Sequence, residues 1–148
     1  MQYSQGTIGR VFVLRLGDGD KLPGSIEDFA AAHGVSQAFC ALVGGADDGS
    51  RVVAGPRDGA VMPPEPMTQA IHGVHEAAAV GTIFPDAKGQ PKLHMHAALG
   101  RGKDTVTGCV RAGVDIWKIG EVVILEIAGT DMARRIDPQT GFELLCRA

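Results

Sequence analysis

The segment EVVILEIA, residues 121–128, constrains the fold most because it is apolar on both faces of a strand. Successive side chains of a strand point to opposite faces of a sheet. One face carries Val122, Ile124 and Ala128, and the other carries Val123, Leu125 and Ile127, with Glu126 as the exception. A strand of this kind needs apolar cover on both sides. We therefore expect either a sheet folded into two layers or a subunit interface, and we favour a homo-oligomer.

A single helix is predicted, in the segment IEDFAAAHG at residues 26–34. Its apolar residues follow the i, i+3, i+4, i+7 spacing of an amphipathic helix. Ser25 and Asp28 form a weak capping box before it, and Gly34 stands where a left-handed C-terminal cap would.

The remaining patterned segments predict strands, because they alternate or are rich in β-branched residues. They lie at about residues 8–16, 37–46, 50–55, 70–84, 91–99, 105–112 and 121–129, and a final hairpin surrounds DPQTG at 137–141. The glycine- and proline-rich segment 57–67 predicts an exposed loop, and the stretch 113–120 separates two strands. One helix among seven or eight strands predicts an α+β domain with a mostly antiparallel sheet.

Length and composition predict one domain over residues 1–148 and restrict its partners. The net charge of −3 disfavours non-specific binding of nucleic acid, since that binding depends on a positive field. The apolar run between Arg10 and Arg15 is too short for a signal peptide or a membrane span, so we expect no membrane partner. Three widely spaced cysteines favour free thiols in a reducing compartment, and we expect a cytoplasmic protein.

The segment KLHMHAALGRGKDTVTGCVRAG, residues 92–113, predicts a metal site. His94 and His96 are two residues apart and share one face of a strand. If the turn is centred between Gly102 and Lys103, residue 96 pairs with residue 109, and Cys109 stands beside His96. Two imidazoles and one thiolate suit zinc and leave a fourth position open, as in catalytic zinc sites. The alternative is a pair of exposed histidines with a small buried thiol.

Charge near this segment indicates an anionic ligand. Residues 87–120 contain six basic residues against Asp104 and Asp115. Arg111 follows Cys109 by two positions, and we expect it on the same face, where it can bind a small carboxylate. Glu121 and Glu126 are the candidate acids or bases for a metal-assisted reaction, although no pattern places either near His94.

The chain resembles the PPC (plants and prokaryotes conserved) domain over about residues 7–129. The resemblance is strongest in GTI at 81–83 followed by HMH at 94–96, and in Gly108 and Gly113 after the next turn. It implies an α+β fold, assembly as a homotrimer, and a role in DNA binding or regulation. The chain lacks the Arg-Gly-Arg-Pro hook that reads the DNA groove in plant members.

The resemblance also implies a metal role for Cys109, which occupies the position of a third histidine in many members. Replacing histidine by cysteine preserves a zinc ligand. The pattern is similar as well to that of acetolactate decarboxylase, a zinc lyase acting on a small hydroxy-keto acid. That similarity implies an alternative function, a zinc-dependent lyase or hydrolase acting on a small anionic carboxylate. A metal-free trimeric scaffold that binds a small molecule between subunits is a third hypothesis.

Overall fold

A nine-stranded sheet forms most of the molecule in the computed structural model, which describes all 148 residues. The elements are β1 (Thr7–Gly17), β2 (Lys21–Leu22), α1 (Gly24–Ala32), β3 (Ala38–Ala46), β4 (Arg51–Pro56), β5 (Pro66–Ala70), β6 (His75–Pro85), β7 (Pro91–Arg101), β8 (Asp104–Cys109), a 3₁₀ turn (Val110–Ala112), β9 (Val114–Ala128), β10 (Met132–Ile136) and β11 (Glu143–Arg147). All strand pairings are antiparallel. The predicted α+β fold with one helix is confirmed.

The order of strands places the longest ones side by side. The sheet runs β1-β9-β3-β6-β7-β8-β4-β5, β2 pairs with one end of β9, and β10 and β11 form a separate hairpin. The longest strand, β9, is rich in valine and isoleucine, which suit a pleated, packed surface, whereas β3, β6 and β7 carry several small alanines.

One face of the sheet, which we call the core face, is covered by α1 and by the loops between strands. Ile26 and Ala30 of the helix are buried in a cluster of 23 residues with Cys40, Met95 and Ile124 of the sheet. The helix therefore needs apolar side chains only along one stripe, which the predicted spacing supplies.

The opposite face, which we call the open face, presents a row of paired residues that crosses six strands. In order, the row is Val13, Val123, Ala41, Val80, His96 and Cys109. Val13 is 78% exposed, Val80 59% and Val123 40%. The second apolar face predicted for β9 thus exists, and in the single chain much of it has no cover.

The C-terminal hairpin covers one end of the open face. Strand β10 contacts β6, and Nη2 of Arg134 donates a hydrogen bond to Oγ1 of Thr82 at 3.2 Å. Thr82 pairs with His94, so the hairpin lies beside the histidines. The predicted final hairpin is confirmed, but its position over the sheet carries no local sequence signal.

Several predicted boundaries are wrong. Residue Pro23 precedes α1 without a side-chain cap, and Ser25 Oγ instead accepts a hydrogen bond from the backbone of Lys21, so the expected capping box does not form. Strand β9 starts at Val114 within the predicted break, residues 110–112 form a 3₁₀ turn, and the loop at 57–67 ends in strand β5. Gly34 has φ +65°, as predicted for the end of the helix.

None of the helices has the length and hydropathy needed to cross a membrane.

Candidate metal centre

The hairpin of β7 and β8 brings His94, His96 and Cys109 together. A two-residue turn at Gly102 and Lys103 joins Arg101 to Asp104, and the register that follows pairs His96 with Cys109. This pairing is the predicted one. Leu93, Met95 and Ala97 alternate with the histidines and are buried on the core face. Strand periodicity therefore directs both imidazoles to the open face.

The three side chains are close enough to share one ion. Nε2 of His94 lies 3.2 Å from Nε2 of His96, and the two rings stand edge to face with centroids 5.0 Å apart. One nitrogen of each ring and the Cys109 sulfur all lie within 4.8 Å of one another. The histidines are exposed, whereas Cys109 is buried.

The surroundings favour neutral imidazoles. Burial lowers the pKa of His94, and the positive charges of Arg134 and Arg111 lower it further. Burial also lowers the pKa of His96, with smaller effects from His94 and Arg111. A neutral imidazole has a free nitrogen lone pair, which is the form that binds a metal ion. The donor set therefore fits a divalent ion such as zinc by both chemistry and spacing.

Gly81 allows β6 to approach β7 at this point. A Cβ on Gly81 would lie 2.6 Å from the carbonyl oxygen of His94 and 2.6 Å from Cβ of Met95. Residue 81 pairs with Met95, which stands between the two histidines. The glycine of the GTI motif is thus required by packing directly behind the candidate centre.

Two cavities meet at the three candidate ligands. The larger, about 440 Å³, is lined by His94, Cys109 and Arg111 together with Arg134, Phe142 and Glu143 of the C-terminal hairpin. The smaller, about 250 Å³, contacts His96, Cys109, Arg111 and Phe142, together with prolines of β4, β5 and the loop that joins them. A small molecule in either cavity would lie against the ligand cluster.

Of the other polar residues that the sequence suggests for the site, only Arg111 lies at the metal centre. Arg111 lines both cavities although it lies in the 3₁₀ turn rather than in a strand. Glu126 points to the core face and binds Arg10, with Oε1 2.6 Å from Nη2. Glu121 lies on β9, three strands from the histidines. Neither carboxylate lines a cavity at the centre.

The residues missed by the sequence analysis come from the C-terminal hairpin. Arg134, Phe142 and Glu143 line the larger cavity, yet they lie more than 20 residues beyond Cys109 in the chain. The only sequence signal is the pair Arg134-Arg135 after an apolar alanine, which in a strand directs one arginine to each face.

Solved structures similar to this one span almost the whole chain. A metal-containing protein of Archaeoglobus fulgidus has a TM-score of 0.86 at 22% identity, covering 99% of this chain and 100% of its own. A plant- and prokaryote-conserved protein of Pyrococcus horikoshii has a TM-score of 0.79 at 18% identity, covering 97% and 99%. A "putative DNA-binding protein" of Ralstonia eutropha has a TM-score of 0.70 at 19% identity, covering 90% and 88%.

These likenesses establish the fold. Comparison with the curated proteins gives no significant match. The family model of the Plants and Prokaryotes Conserved (PCC) domain, the family that the motifs resemble, matches residues 3–128. The chain therefore belongs to the PCC domain family.

Proposed function

We propose that this protein binds one zinc ion through His94, His96 and Cys109 and uses it to bind, and to act on, a small carboxylate. The observation that carries the proposal is the convergence of two imidazole nitrogens and a sulfur within 4.8 Å. The metal-containing relative from Archaeoglobus fulgidus supports it through the shared fold.

The chemistry of the centre follows from its ligands. Three protein ligands leave a position open for water or substrate, and zinc there supplies a Lewis acid that polarises a carbonyl. His94 and His96 bind in their neutral forms, which their surroundings favour. The exposed Arg111 lines both cavities and holds the carboxylate near the open position.

Elemental analysis of the untagged protein, purified without added metal, tests the proposal. We expect about one zinc per chain, and none in the double variant His94→Ala/His96→Ala. His72→Ala removes an exposed histidine that belongs neither to the cluster nor to the cavity lining, and it should keep the zinc. Cys109→Ser should weaken zinc binding without changing the oligomeric state. Zinc that survives the double substitution, or a wild-type protein without metal, would contradict the assignment.

DNA binding is the second candidate, supported by relatives from Ralstonia eutropha and Bacteroides thetaiotaomicron that are each described as a "putative DNA-binding protein". Binding to duplex DNA that weakens steeply with salt would favour it, because phosphate contacts release counterions. The net charge of −3 and the absence of a groove-reading hook lead us to rank it below the metal centre.

Assembly as a homotrimer in the cytoplasm completes the proposal. The exposed valines of the open face favour burial against another copy of the chain. The three cysteines are all free thiols, which suits a reducing compartment.

A further inference from the structure

Arg134 carries a buried positive charge without an acidic partner. The residue is 5% exposed, and its Nε is the one buried side-chain nitrogen or oxygen in the structure that has no hydrogen-bond partner. Its Nη2 donates to the hydroxyl of Thr82 at 3.2 Å, and it takes part in none of the six ion pairs. A buried guanidinium in this state is costly unless an anion reaches it.

The guanidinium faces the larger cavity at the metal centre. Arg134 lines that cavity with His94, Cys109 and Arg111. The space that an anion needs is therefore beside both the arginine and the candidate ligands.

The charges that line the cavity do not cancel one another. Lys92 is paired with Glu27, with Nζ 3.5 Å from Oε1. Arg111 and Arg134 have no carboxylate within 4.0 Å, and the exposed Glu143 is the one acidic side chain on the wall. Two guanidinium groups are thus available for one anionic ligand.

We propose that Arg134, together with Arg111, binds the carboxylate of a small monocarboxylate with an apolar body, beside His94, His96 and Cys109. The proposal deepens the metal-centre function, on which it rests for the position of the ligand beside the zinc. Phe142 and Leu144 form an apolar wall of the same cavity, and they suit a hydrocarbon body better than the fully polar surface of inorganic phosphate. A planar guanidinium matches a carboxylate through two parallel hydrogen bonds.

The test measures binding of 3-methylbutanoate, by calorimetry or ligand-observed NMR, to the 148-residue protein after its zinc content has been measured. Its neutral amide and inorganic phosphate are the comparison probes. Arg134→Met removes the charge and keeps an unbranched apolar side chain. Arg134→Lys keeps the positive charge but loses the planar guanidinium that makes two parallel hydrogen bonds. Arg135→Met is the matched control because Arg135 is the exposed neighbour, lines neither cavity and carries the same charge.

We expect the carboxylate to bind the wild type and the Arg135→Met control equally, and the amide to bind neither. Loss of a charge-assisted bidentate pair should weaken binding by ~10- to 100-fold in Arg134→Met, with zinc content unchanged. Arg134→Lys should bind the carboxylate ~10-fold more weakly than the wild type. If Arg134→Met does not fold, Arg134→Lys still tests the proposal, because it retains the buried charge.

Three results would overturn the inference: equal carboxylate binding by wild type and both Arg134 variants, tighter binding of phosphate than of carboxylate, or no carboxylate binding at all. The last of these, in a protein that contains zinc, would leave only the zinc-binding part of the proposed function. Absence of zinc from a wild-type protein that still binds the carboxylate through Arg134 would instead refute only the metal-centre function.

Discussion

Arg10 holds Glu126 in a two-point ion pair on the core face of the sheet. Nε of Arg10 donates to Oε2 at 2.7 Å, and Nη2 donates to Oε1 at 2.6 Å. These hydrogen bonds lower the pKa of Glu126 to about 2. The pair joins edge strand β1 to β9 beside a bulge between Ile8 and Val11. Glu126 is therefore occupied in a structural contact and does not serve the metal centre as an acid or base.

The ion pair predicts a pH dependence of stability. The folded-state pKa of Glu126 is lowered to about 2 from its ordinary value of 4.5, so the ion pair's contribution to stability is present above pH 4.5 and is lost as the pH falls towards 2. Glu126→Gln should lower the melting temperature at pH 7 and flatten its decline between pH 4.5 and pH 2. Glu76→Gln, at an exposed carboxylate without an ion pair, is the control. Identical melting profiles for both variants would contradict this role.

At the scale of elements, sequence reasoning succeeds where the constraint is local. Strand alternation and a two-residue turn determine the pairing of His96 with Cys109, and both can be read from adjacent residues. The position of Arg134 depends instead on how the β10–β11 hairpin packs over Thr82, 52 residues away in the chain. No periodicity within a hairpin encodes that docking. The sequence therefore predicts the three candidate ligands but not the wall of the cavity beside them.

The packing of β6 against β7 gives a prediction about Gly81. Gly81→Ala should destabilise the protein by about 1–3 kcal/mol, because the new methyl group overpacks the backbone between His94 and Met95. Zinc affinity should fall with it, since the same backbone carries the ligands. Gly100→Ala in β7 is the control, as its Cβ would meet only Oγ1 of Thr105 at 3.7 Å. Chemical denaturation and zinc titration measure both effects, and a stable Gly81→Ala variant would refute this account of the motif.

At the scale of the whole molecule, the two-faced strand β9 explains the architecture. Its core face is covered by α1 within the chain, and its other face remains apolar and exposed at Val123. The sequence predicts both faces from the alternation of EVVILEIA. It misses residues 114–120 of the strand, because Gly113 and Gly120 interrupt the apolar pattern. The pairing with β3 nevertheless continues there, across a register shift between Gly44 and Gly45. Gly44, Gly45 and Gly120 therefore lie at a β-bulge within the sheet and do not end the strand.

The exposed part of the open face predicts how the chain assembles. Val13, 78% exposed at one end of the row that leads to His96, would be buried in a homotrimer. Val13→Glu leaves the single chain intact but would place an unpaired carboxylate in that interface, which costs several kcal/mol per ion. Light scattering should therefore give three times the 15.4 kDa chain mass for the wild type and one chain mass for the variant. Val61→Glu, at a 52% exposed valine in the loop before β5, should remain trimeric. If the wild type has the mass of a single chain, the trimer prediction is wrong and the open face is free for another partner. If the Val13→Glu variant is still trimeric, the subunit interface does not include Val13.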